Sequence, residues 1–512
     1  MKKHSVVFTM FFVLIISVFL SFSAFATEEE FCDTAIADRL PSYRPDLSDD
    51  TAQLFGEQPD ILDYLCQNML NFTARIDISG YGLKTEDIDI LNQYYGNVLL
   101  MNYELYYVDF AYTYGYSGGR ITSVRPVYLV TDKTEIANTI AQMDVVYNDI
   151  LSLVDNSMTD LEKLITVYNE VILMTCYDYD LVKTTPKDLL LEGTTVCQGY
   201  AGVLFELCKR MDIPCGLVRS VEMNHVWNSF YVDGEWYHAD ATWDDPTAKN
   251  SSRMTYTYFL KSNDYYTDSA GHYDFTPLES NSTKYDNYFW NDATSKMVIL
   301  ADQMYFIKGN KYSGTISVFN PDTLAVTDIY KITDKWYTDE QNAYIWNATL
   351  SGLEYDKGRL FFNTRTRVMS CKLDGTDVRV ECTPTIASTD SVYGCYKKDG
   401  KLSYSVGPRK SWSYDDQTQY FIDFPENTKQ PFYAVNTYKK DGKNYFSYVN
   451  DTDETLSIFA IFKDGNRFDH AEIIPVTEKE GKLELPSSEI EYEFVILNSV
   501  FSPFAEKMSV KP

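Results

Sequence analysis

The strongest local constraint on folding is an Asp233-Gly234 pair between two strand-like runs. Asp-Gly is among the dipeptides that most favour a two-residue hairpin turn. The run before it, residues 225–232, and the run after it, residues 235–242, are rich in aromatic and branched side chains. They therefore predict two antiparallel strands joined by a tight turn.

The turn also fixes the register, because it pairs Val232 with Glu235. Continued along the hairpin, this pairing places Trp227 opposite Asp240. His225 lies two residues from Trp227 and shares its face, because strand side chains alternate. His225 and Asp240 are then diagonal neighbours about 7–8 Å apart at the backbone. A carboxylate there can bond one imidazole nitrogen and orient the other, and a one-residue slip would separate the two groups.

The other histidines have less promising positions. His238 shares the face of His225 but lies about 13 Å from it along the strands. We interpret it as a structural or rim residue. His4 lies in the N-terminal segment, and His272 and His470 have no partners at suggestive spacing. We expect the last two to be ordinary surface residues.

A helix is predicted upstream of the hairpin, beginning near Cys197. One face of it carries residues at spacings of three and four: Cys197, Ala201, Leu204, Cys208 and Met211. We expect Gly193 and the threonines at 194 and 195 to supply the break and the N-cap. We expect Asp212-Ile213-Pro214 to end the helix.

Cys197 is thereby placed in the first helical turn. Unpaired backbone N–H groups and the positive end of the helix dipole favour a thiolate there. Gly199 and Gly202 each cost roughly 1 kcal/mol against alanine inside a helix. Close packing or close approach of a substrate must therefore favour a bare backbone at these positions.

A thiol at a helix start and a histidine–aspartate pair on the next hairpin are the groups that thiol acyl transfer needs. The alternative is that Cys197 is a core residue or half of a disulfide with Cys176. A bridge to Cys208 is excluded by about 16 Å of helix. The chain has no Cys-x-x-Cys and no His-x-x-x-His pair, so we predict neither a metal nor a cofactor.

Three segments resemble the transglutaminase-like superfamily, in the papain-like group: residues 196–201 (VCQGYA), 224–228 (NHVWN) and 236–246 (WYHADATWDDP). The resemblance covers about residues 160–262. It implies that Cys197 is the nucleophile, His225 the base and Asp240 its orienter. Tyr177 or Tyr179 is a candidate second oxyanion donor, although core packing is the more favoured role for both. Residues 243–246 are interpreted as a packed turn, and calcium dependence is not implied.

Composition limits the partners. The chain has 512 residues and a net charge of −29, which disfavours phosphate backbones and excludes a nucleic-acid role.

Residues 1–26 have a basic start, an apolar run and an Ala-Phe-Ala site, which predict a secretory signal peptide. An uncleaved membrane anchor is the weaker alternative. Nine cysteines in an exported chain invite disulfides whose connectivity the spacing does not give.

The predicted fold class is α+β: a papain-like transglutaminase core with an N-terminal α+β region, an all-β repeat-like region and a C-terminal β-sandwich. The domains follow as signal peptide 1–26, N-terminal region 27–140, catalytic domain 141–290, β-rich domain 295–428, for which a propeller-like arrangement is one interpretation, and sandwich 429–512. The N-terminal region shows a helix pattern over 58–76 and strand patterns over 105–112 and 121–129, with a turn at 114–119. Similar strand cores occur at 304–306, 360–362, 402–404 and 445–447.

Together these features predict a secreted enzyme, at or near the cell surface, acting on protein or cell-wall peptide amides. Protease, cross-linker and deamidase stay open, and so does the oligomeric state. The alternative is a non-catalytic surface-binding or adhesion protein. Its aromatic-rich β domains would contact a glycan or protein ligand.

Overall fold

A computed structural model describes residues 30–34, 61–155, 157–246, 254–278, 281–309, 314–333, 335–337, 345–347, 352–408, 417–425, 432–450, 452, 455–464, 467–485, 492–500, 503 and 508–510. The predicted signal peptide lies outside these ranges. Within them, no helix combines the length and the apolar character needed to span a bilayer.

The N-terminal region combines two helices with a four-stranded antiparallel sheet of order β1-β3-β4-β2. Its elements are β1 (Glu30–Thr34), α1 (Ile61–Leu70), β2 (Ile76–Asp77), α2 (Ile88–Met101), β3 (Val108–Ser117) and β4 (Arg120–Tyr128). The turn predicted at 114–119 is too long. The strand continues to Ser117, and Gly118 and Gly119, both at positive φ, make the turn between β3 and β4.

Four α-helices lie between this sheet and the next in the described chain: α3 (Lys133–Leu151), α4 (Asp160–Met174), α5 (Pro186–Glu192) and α6 (Cys197–Arg210). The short α7 (Ala241–Asp244) follows the hairpin. Capping boxes begin α4 at Thr159 and α5 at Thr185. In each, a threonine and an acid three residues later satisfy each other's backbone N–H groups. The helix α3 runs through the domain boundary predicted at residue 140.

The central sheet is antiparallel, in the order β5 (Cys215–Ser220), β6 (His225–Val232), β7 (Glu235–Ala239) and β8 (Phe259–Lys261). The predicted hairpin register is confirmed, since Val232 pairs with Glu235. Asp233 and Gly234 have φ of 54° and 82°, as a two-residue turn between twisted strands requires. Apolar side chains of α6 pack with those of β5 and β6 in one core, which fixes the helix against the sheet.

From residue 298 onward the regular elements of the described chain are strands. The antiparallel sheets have the orders β12-β11-β10-β9, β13-β14, β15-β16-β17-β18, β19-β20-β21, β22-β23-β26 and β25-β24-β27-β28. The bounds are β9 (Val298–Leu300), β10 (Gln303–Gly309), β11 (Gly314–Asn320), β12 (Ala325–Ile332), β13 (Lys335–Tyr337), β14 (Ile345–Asn347), β15 (Leu353–Asp356), β16 (Arg359–Asn363), β17 (Val368–Lys372), β18 (Arg379–Cys382), β19 (Asp390–Lys398), β20 (Lys401–Pro408), β21 (Thr418–Ile422), β22 (Phe432–Lys440), β23 (Lys443–Asn450), β24 (Leu456–Asp464), β25 (Arg467–Val476), β26 (Glu480–Leu485), β27 (Tyr492–Leu497) and β28 (Met508–Val510).

The four predicted strand cores lie in β10, β16, β20 and β23, so the β-rich character of this region is confirmed. The last two sheets share one apolar cluster, in which the Phe446 and Phe494 rings meet edge-on at 5.0 Å between centroids. Such a cluster between two sheets is what the predicted C-terminal sandwich needs. Propeller-like closure of the earlier sheets and the domain limits stay predictions.

The cysteines bear on the alternative interpretation of the site. Among the cysteines with described side chains, these are free thiols: Cys66, Cys197, Cys208, Cys215, Cys371, Cys382 and Cys395. Cys176 and Cys197 do not form the disulfide considered above, so the Cys197 thiol is available.

Candidate active site

Cys197 is the first residue of α6 and is 6% exposed. The expected threonine cap is wrong, since the N-cap residue is Val196 and no side chain caps the helix. Gly193 instead ends α5 at φ 69°. Thr195 bridges to Tyr177, and its hydroxyl donates to the Lys183 carbonyl at 3.1 Å. Contacts with the preceding loop therefore take the oxygen that would otherwise cap α6.

The two helical glycines are explained by packing. A Cβ at Gly199 would lie 2.0 Å from Oγ1 of Thr195, which is far inside contact distance. A Cβ at Gly202 would lie 3.1 Å from Pro186 Cγ and 3.3 Å from the Leu100 carbonyl. The start of α6 is thus pressed against the loop before it and against α5, and this contact positions Cys197.

His225 begins β6 and its Nε2 lies 2.6 Å from Oδ2 of Asp240. The contact with Asp240 leaves the other ring nitrogen, Nδ1, unused, and the Cys197 sulfur lies close enough to raise the pKa of the imidazole. Ring contacts with Trp227 and Trp243, at centroid distances of 5.6 and 5.8 Å, hold the imidazole. The structure thus brings together the three predicted site residues, and their catalytic roles stay predictions.

Asp240 is fully buried and follows the last residue of β7 as the N-cap of α7. Its Oδ1 accepts hydrogen bonds from the backbone N–H groups of Thr242 and Trp243 at 3.0 and 3.2 Å. Its Oδ2 is left for imidazole donors. Burial would raise the pKa of this carboxyl, but the charge and hydrogen bond of His225 hold it well below its usual range. Asp240 is therefore a fixed carboxylate.

The protonation of His225 follows from these partners. Burial lowers the pKa of the imidazole, but the negative charge and hydrogen bond of Asp240, joined by the sulfur of Cys197, raise it to about 10. The charged ring is thus favoured next to the sulfur. An imidazolium between a thiolate and a carboxylate is the resting arrangement of a thiol nucleophile.

His272 corrects one expectation. We expected it on the surface, but it is 1% exposed and its Nε2 lies 3.0 Å from the same Asp240 Oδ2. It follows the π-turn Tyr265–Ser269 and contacts the rings of Trp243 and Tyr266 at 4.2 and 4.3 Å. No spacing rule pointed to it, because 32 residues separate it from Asp240. The aromatic residues around it in the sequence are its only local sign of burial.

His238 and His470 lie away from the Asp240 carboxylate. His238 accepts from the Trp227 indole N–H at 3.0 Å, and its other nitrogen lies 2.9 Å from Oδ1 of Asn263. Burial lowers its pKa to about 3, so it is a neutral structural residue. His470 is exposed and lies beside Asp469, as a surface residue does.

Two further groups lie within electrostatic reach of the Cys197 sulfur. Arg219 on β5 is 5% exposed, and burial lowers its pKa to about 9 although the charge of Cys197 opposes this. Burial, with a smaller effect of Cys197, raises the pKa of Tyr177 to about 12. Tyr179 is 76% exposed and stacks edge-on with Tyr177. Of the two tyrosines considered as oxyanion donors, Tyr177 is the one with a described interaction with the sulfur.

The acids after Asp240 pack as expected of a structural turn. The Tyr168 hydroxyl of α4 donates to Asp244 at 2.8 Å, and the Tyr200 hydroxyl of α6 donates to Asp245 at 2.6 Å. Burial raises the pKa of Asp244 to about 7. These bonds tie the hairpin end to both helices, so Asp240 and Cys197 share one rigid frame.

One group in the described part of the chain has the composition of a metal site: His225, Asp240 and His272, with ligand atoms within 4.8 Å of one another. Their contacts of 2.6 and 3.0 Å have hydrogen-bond lengths. Ligands 2.0–2.1 Å from a tetrahedral zinc would lie about 3.3 Å apart. Protons rather than a metal account for the spacing.

Comparison with known proteins identifies one segment of this chain. Residues 150–241 match the family model described as "Transglutaminase-like superfamily". The chain therefore carries a transglutaminase-like superfamily domain, and the matched segment includes Cys197, His225 and Asp240. His272 lies beyond its end.

The curated relatives include kyphoscoliosis peptidase of Mus musculus, 27% identical over 139 residues, and its Homo sapiens counterpart, 25% identical over 134 residues. These matches cover 22% and 21% of this chain, which spans about a fifth of the relatives' length. A solved structure described as a TGase has 15% identity and a TM-score of 0.19, covering 25% of this chain and 42% of its own. A putative cysteine protease from Cytophaga hutchinsonii has 17% identity and a TM-score of 0.18, covering 25% and 52%.

Proposed function

We propose that this chain is an exported transglutaminase-like cysteine enzyme that acts on peptide or glutamine amides through a thioester on Cys197. The observation that carries the proposal is the position of His225, which is hydrogen-bonded to a buried, doubly anchored Asp240 and lies within electrostatic reach of the Cys197 sulfur. Export and a place at the cell surface are supported by the predicted signal peptide.

The chemistry follows from the protons. The Cys197 thiolate attacks the amide carbonyl, and the new C–S bond places negative charge on the carbonyl oxygen. The backbone N–H of Cys197 at the helix start is positioned to stabilise that oxyanion. The imidazolium of His225 then gives its proton to the leaving nitrogen as the C–N bond breaks. Water or an amine attacks the thioester, loses a proton to His225 and releases the thiolate. The name of the curated relatives favours water as the acceptor.

Alkylation with iodoacetamide at pH 6, followed by peptide mapping, tests the nucleophile without a known substrate. We expect rapid labelling of Cys197 because its sulfur is paired with an imidazolium. The remaining thiols provide the internal standard, since burial raises the pKa of Cys66 to about 11 and that of Cys371 to about 12. Labelling of Cys197 no faster than that of a free cysteine would contradict the proposal.

Turnover is tested with casein as an amide substrate, measuring new amino termini, released ammonia and incorporation of a fluorescent amine. New amino termini report peptide-bond hydrolysis. Deamidation and cross-linking both release the glutamine side-chain nitrogen as ammonia, so ammonia without amine incorporation reports deamidation and ammonia with incorporation reports cross-linking. Cys197→Ala should abolish whichever signal the parent chain gives while leaving thermal unfolding nearly unchanged. Cys382→Ala, in the β-rich region, is the matched thiol control and should keep full activity. Equal turnover by Cys197→Ala would exclude this nucleophile.

A further inference from the structure

The carboxylate of Asp240 has two histidine partners, and the reaction outlined above uses one of them. His225 Nε2 and His272 Nε2 approach the same oxygen, Oδ2, at 2.6 and 3.0 Å. The other oxygen is bonded to two backbone N–H groups. The second histidine therefore competes with His225 for the negative charge of one oxygen atom.

The proton on His272 has a defined place. Its Nδ1 is buried and has no hydrogen-bond partner among the residues that the structure describes. A proton on that nitrogen would be a buried donor without an acceptor, which is costly. Because the Asp240 carboxylate can only accept, the contact at 3.0 Å places a proton on Nε2 of His272, pointing at Oδ2.

We propose that His272 is a positioning residue, which donates to Oδ2 of Asp240 and thereby weakens the hold of that carboxylate on the His225 proton. The proposal rests on the proposed function. The His225 proton must stay on the ring in the resting site, yet pass to the leaving nitrogen during reaction. A carboxylate that served His225 alone would retain that proton more firmly.

The anchoring of Asp240 gives the sign of the effect. If Oδ2 were held only by His272, removing the histidine would let the carboxylate turn away from His225. The bonds to the Thr242 and Trp243 N–H groups keep it in place instead. Loss of the His272 donor then leaves Oδ2 with more charge for His225, whose pKa rises.

Other charged or titratable groups around this cluster must be included in any pH test. Cys197 acts on His225 directly, and His238 interacts with His272. Asp240 interacts in addition with Asp244 and with four tyrosines: Tyr168, Tyr177, Tyr258 and Tyr266. Arg219 interacts with the Cys197 sulfur. None of these groups is changed by a substitution at His272, so a difference between variants at that position reports the Asp240 contact.

The experiment measures iodoacetamide alkylation of Cys197 from pH 4 to pH 11.5. The parent chain should label in two steps: a plateau for the thiolate–imidazolium pair, then a rise near pH 10 as His225 loses its proton. His272→Phe keeps a flat ring but removes the donor. It should move the upper step up by about one pH unit. His272→Gln can still present an N–H at the same distance from its Cα, and should restore the step to within about 0.3 units.

Three comparisons separate the outcomes. The asparagine of His272→Asn is polar but too short to reach Asp240, so this variant should shift the upper step as His272→Phe does. If the phenylalanine variant does not fold, His272→Asn tests the role of His272 instead. In an Asp240→Asn background, His272→Phe should have no further effect. His238→Phe removes a buried histidine that does not touch Asp240, and should leave the step in place.

The contrary results are distinct. If the parent chain lacks the low-pH plateau, the proposed function fails irrespective of His272. If the parent shows both steps and His272→Phe and His272→Asn leave the upper step unmoved, only the role of His272 fails. An equal shift in His238→Phe would attribute the effect to general loosening of the aromatic cluster and would also overturn it.

Discussion

Two ends of one hairpin face hold two buried histidines in opposite states. His225 has a carboxylate partner, and its pKa is raised to about 10. His238 has an amide oxygen and an indole N–H as partners, and burial lowers its pKa to about 3. Both rings are nearly inaccessible, so burial does not distinguish them. The charge of the partner decides which histidine is held as an imidazolium.

Asp240→Asn is expected to give the largest change, because it leaves the histidine at each end of the hairpin with uncharged partners. His225 would then have neutral partners, and its pKa should fall by about three units or more. A neutral imidazole no longer offers the Cys197 sulfur a positive charge, so iodoacetamide labelling at pH 6 should fall about 100-fold. Glu235→Gln, at the hairpin turn, is the control for loss of one carboxylate. Unchanged labelling in Asp240→Asn would show that Asp240 does not set the charge on His225.

Asn263→Asp sharpens the comparison from the other end. It offers His238 a carboxylate at the position of Oδ1, now 2.9 Å from the imidazole nitrogen. The His238 pKa should rise by about two units. The cost is about 1–3 kcal/mol of stability, because the amide also donates to the Leu278 carbonyl. NMR titration of ¹³C-labelled histidines measures the shift, with His470 as the exposed reference. An unchanged His238 signal would contradict the conclusion that the charge of the partner decides which histidine is held as an imidazolium.

Gly199→Ala is expected to disturb only the site at the His225 end of the hairpin, because it displaces the first turn of α6. The new Cβ would meet Thr195 Oγ1 at 2.0 Å, so the first turn of α6 must shift and carry Cys197 with it. We expect a loss of about 1–3 kcal/mol in unfolding free energy and about tenfold slower labelling at pH 6. Gly202→Ala is the matched control on the same helix, where the nearest contact is a milder 3.1 Å. Equal effects of the two substitutions would mean that the sulfur position does not depend on this contact.

The parts of the site that followed from sequence are those fixed by local rules. The Asp233-Gly234 turn set the register, and the register brought His225 and Asp240 to one face. The spacing of apolar residues likewise placed Cys197 at the start of a helix. The β-rich half was predicted from its strand cores. These features depend on neighbours within a few residues, which the sequence displays directly.

The parts that sequence missed depend on contacts between distant segments. The cap of α6 was wrong because Thr195 bridges to Tyr177, outside the helix. His272 was missed because a loop after a π-turn returns it to Asp240. Neither event has a fixed spacing. A pattern of single residues cannot report a partner that chain folding brings from a distant segment, here 18 and 32 positions away.

Arg219→Gln is expected to give the smallest change at the His225 end. Arg219 precedes Ser220, the residue that pairs with His225 across β5 and β6, and its buried guanidinium interacts with the Cys197 sulfur. Its positive charge stabilises the thiolate electrostatically. Because His225 supplies the nearer cation, removal of this charge should slow labelling at pH 6 only about threefold. Arg219→Lys keeps the charge and should label at the parent rate, and neither variant should move the His238 pKa. If Arg219→Gln labels at the parent rate, His225 is the sole cation that affects the reactivity of the sulfur. If labelling falls as much as in Asp240→Asn, the guanidinium, and not the imidazolium held by Asp240, sets the difference between the two ends of the hairpin.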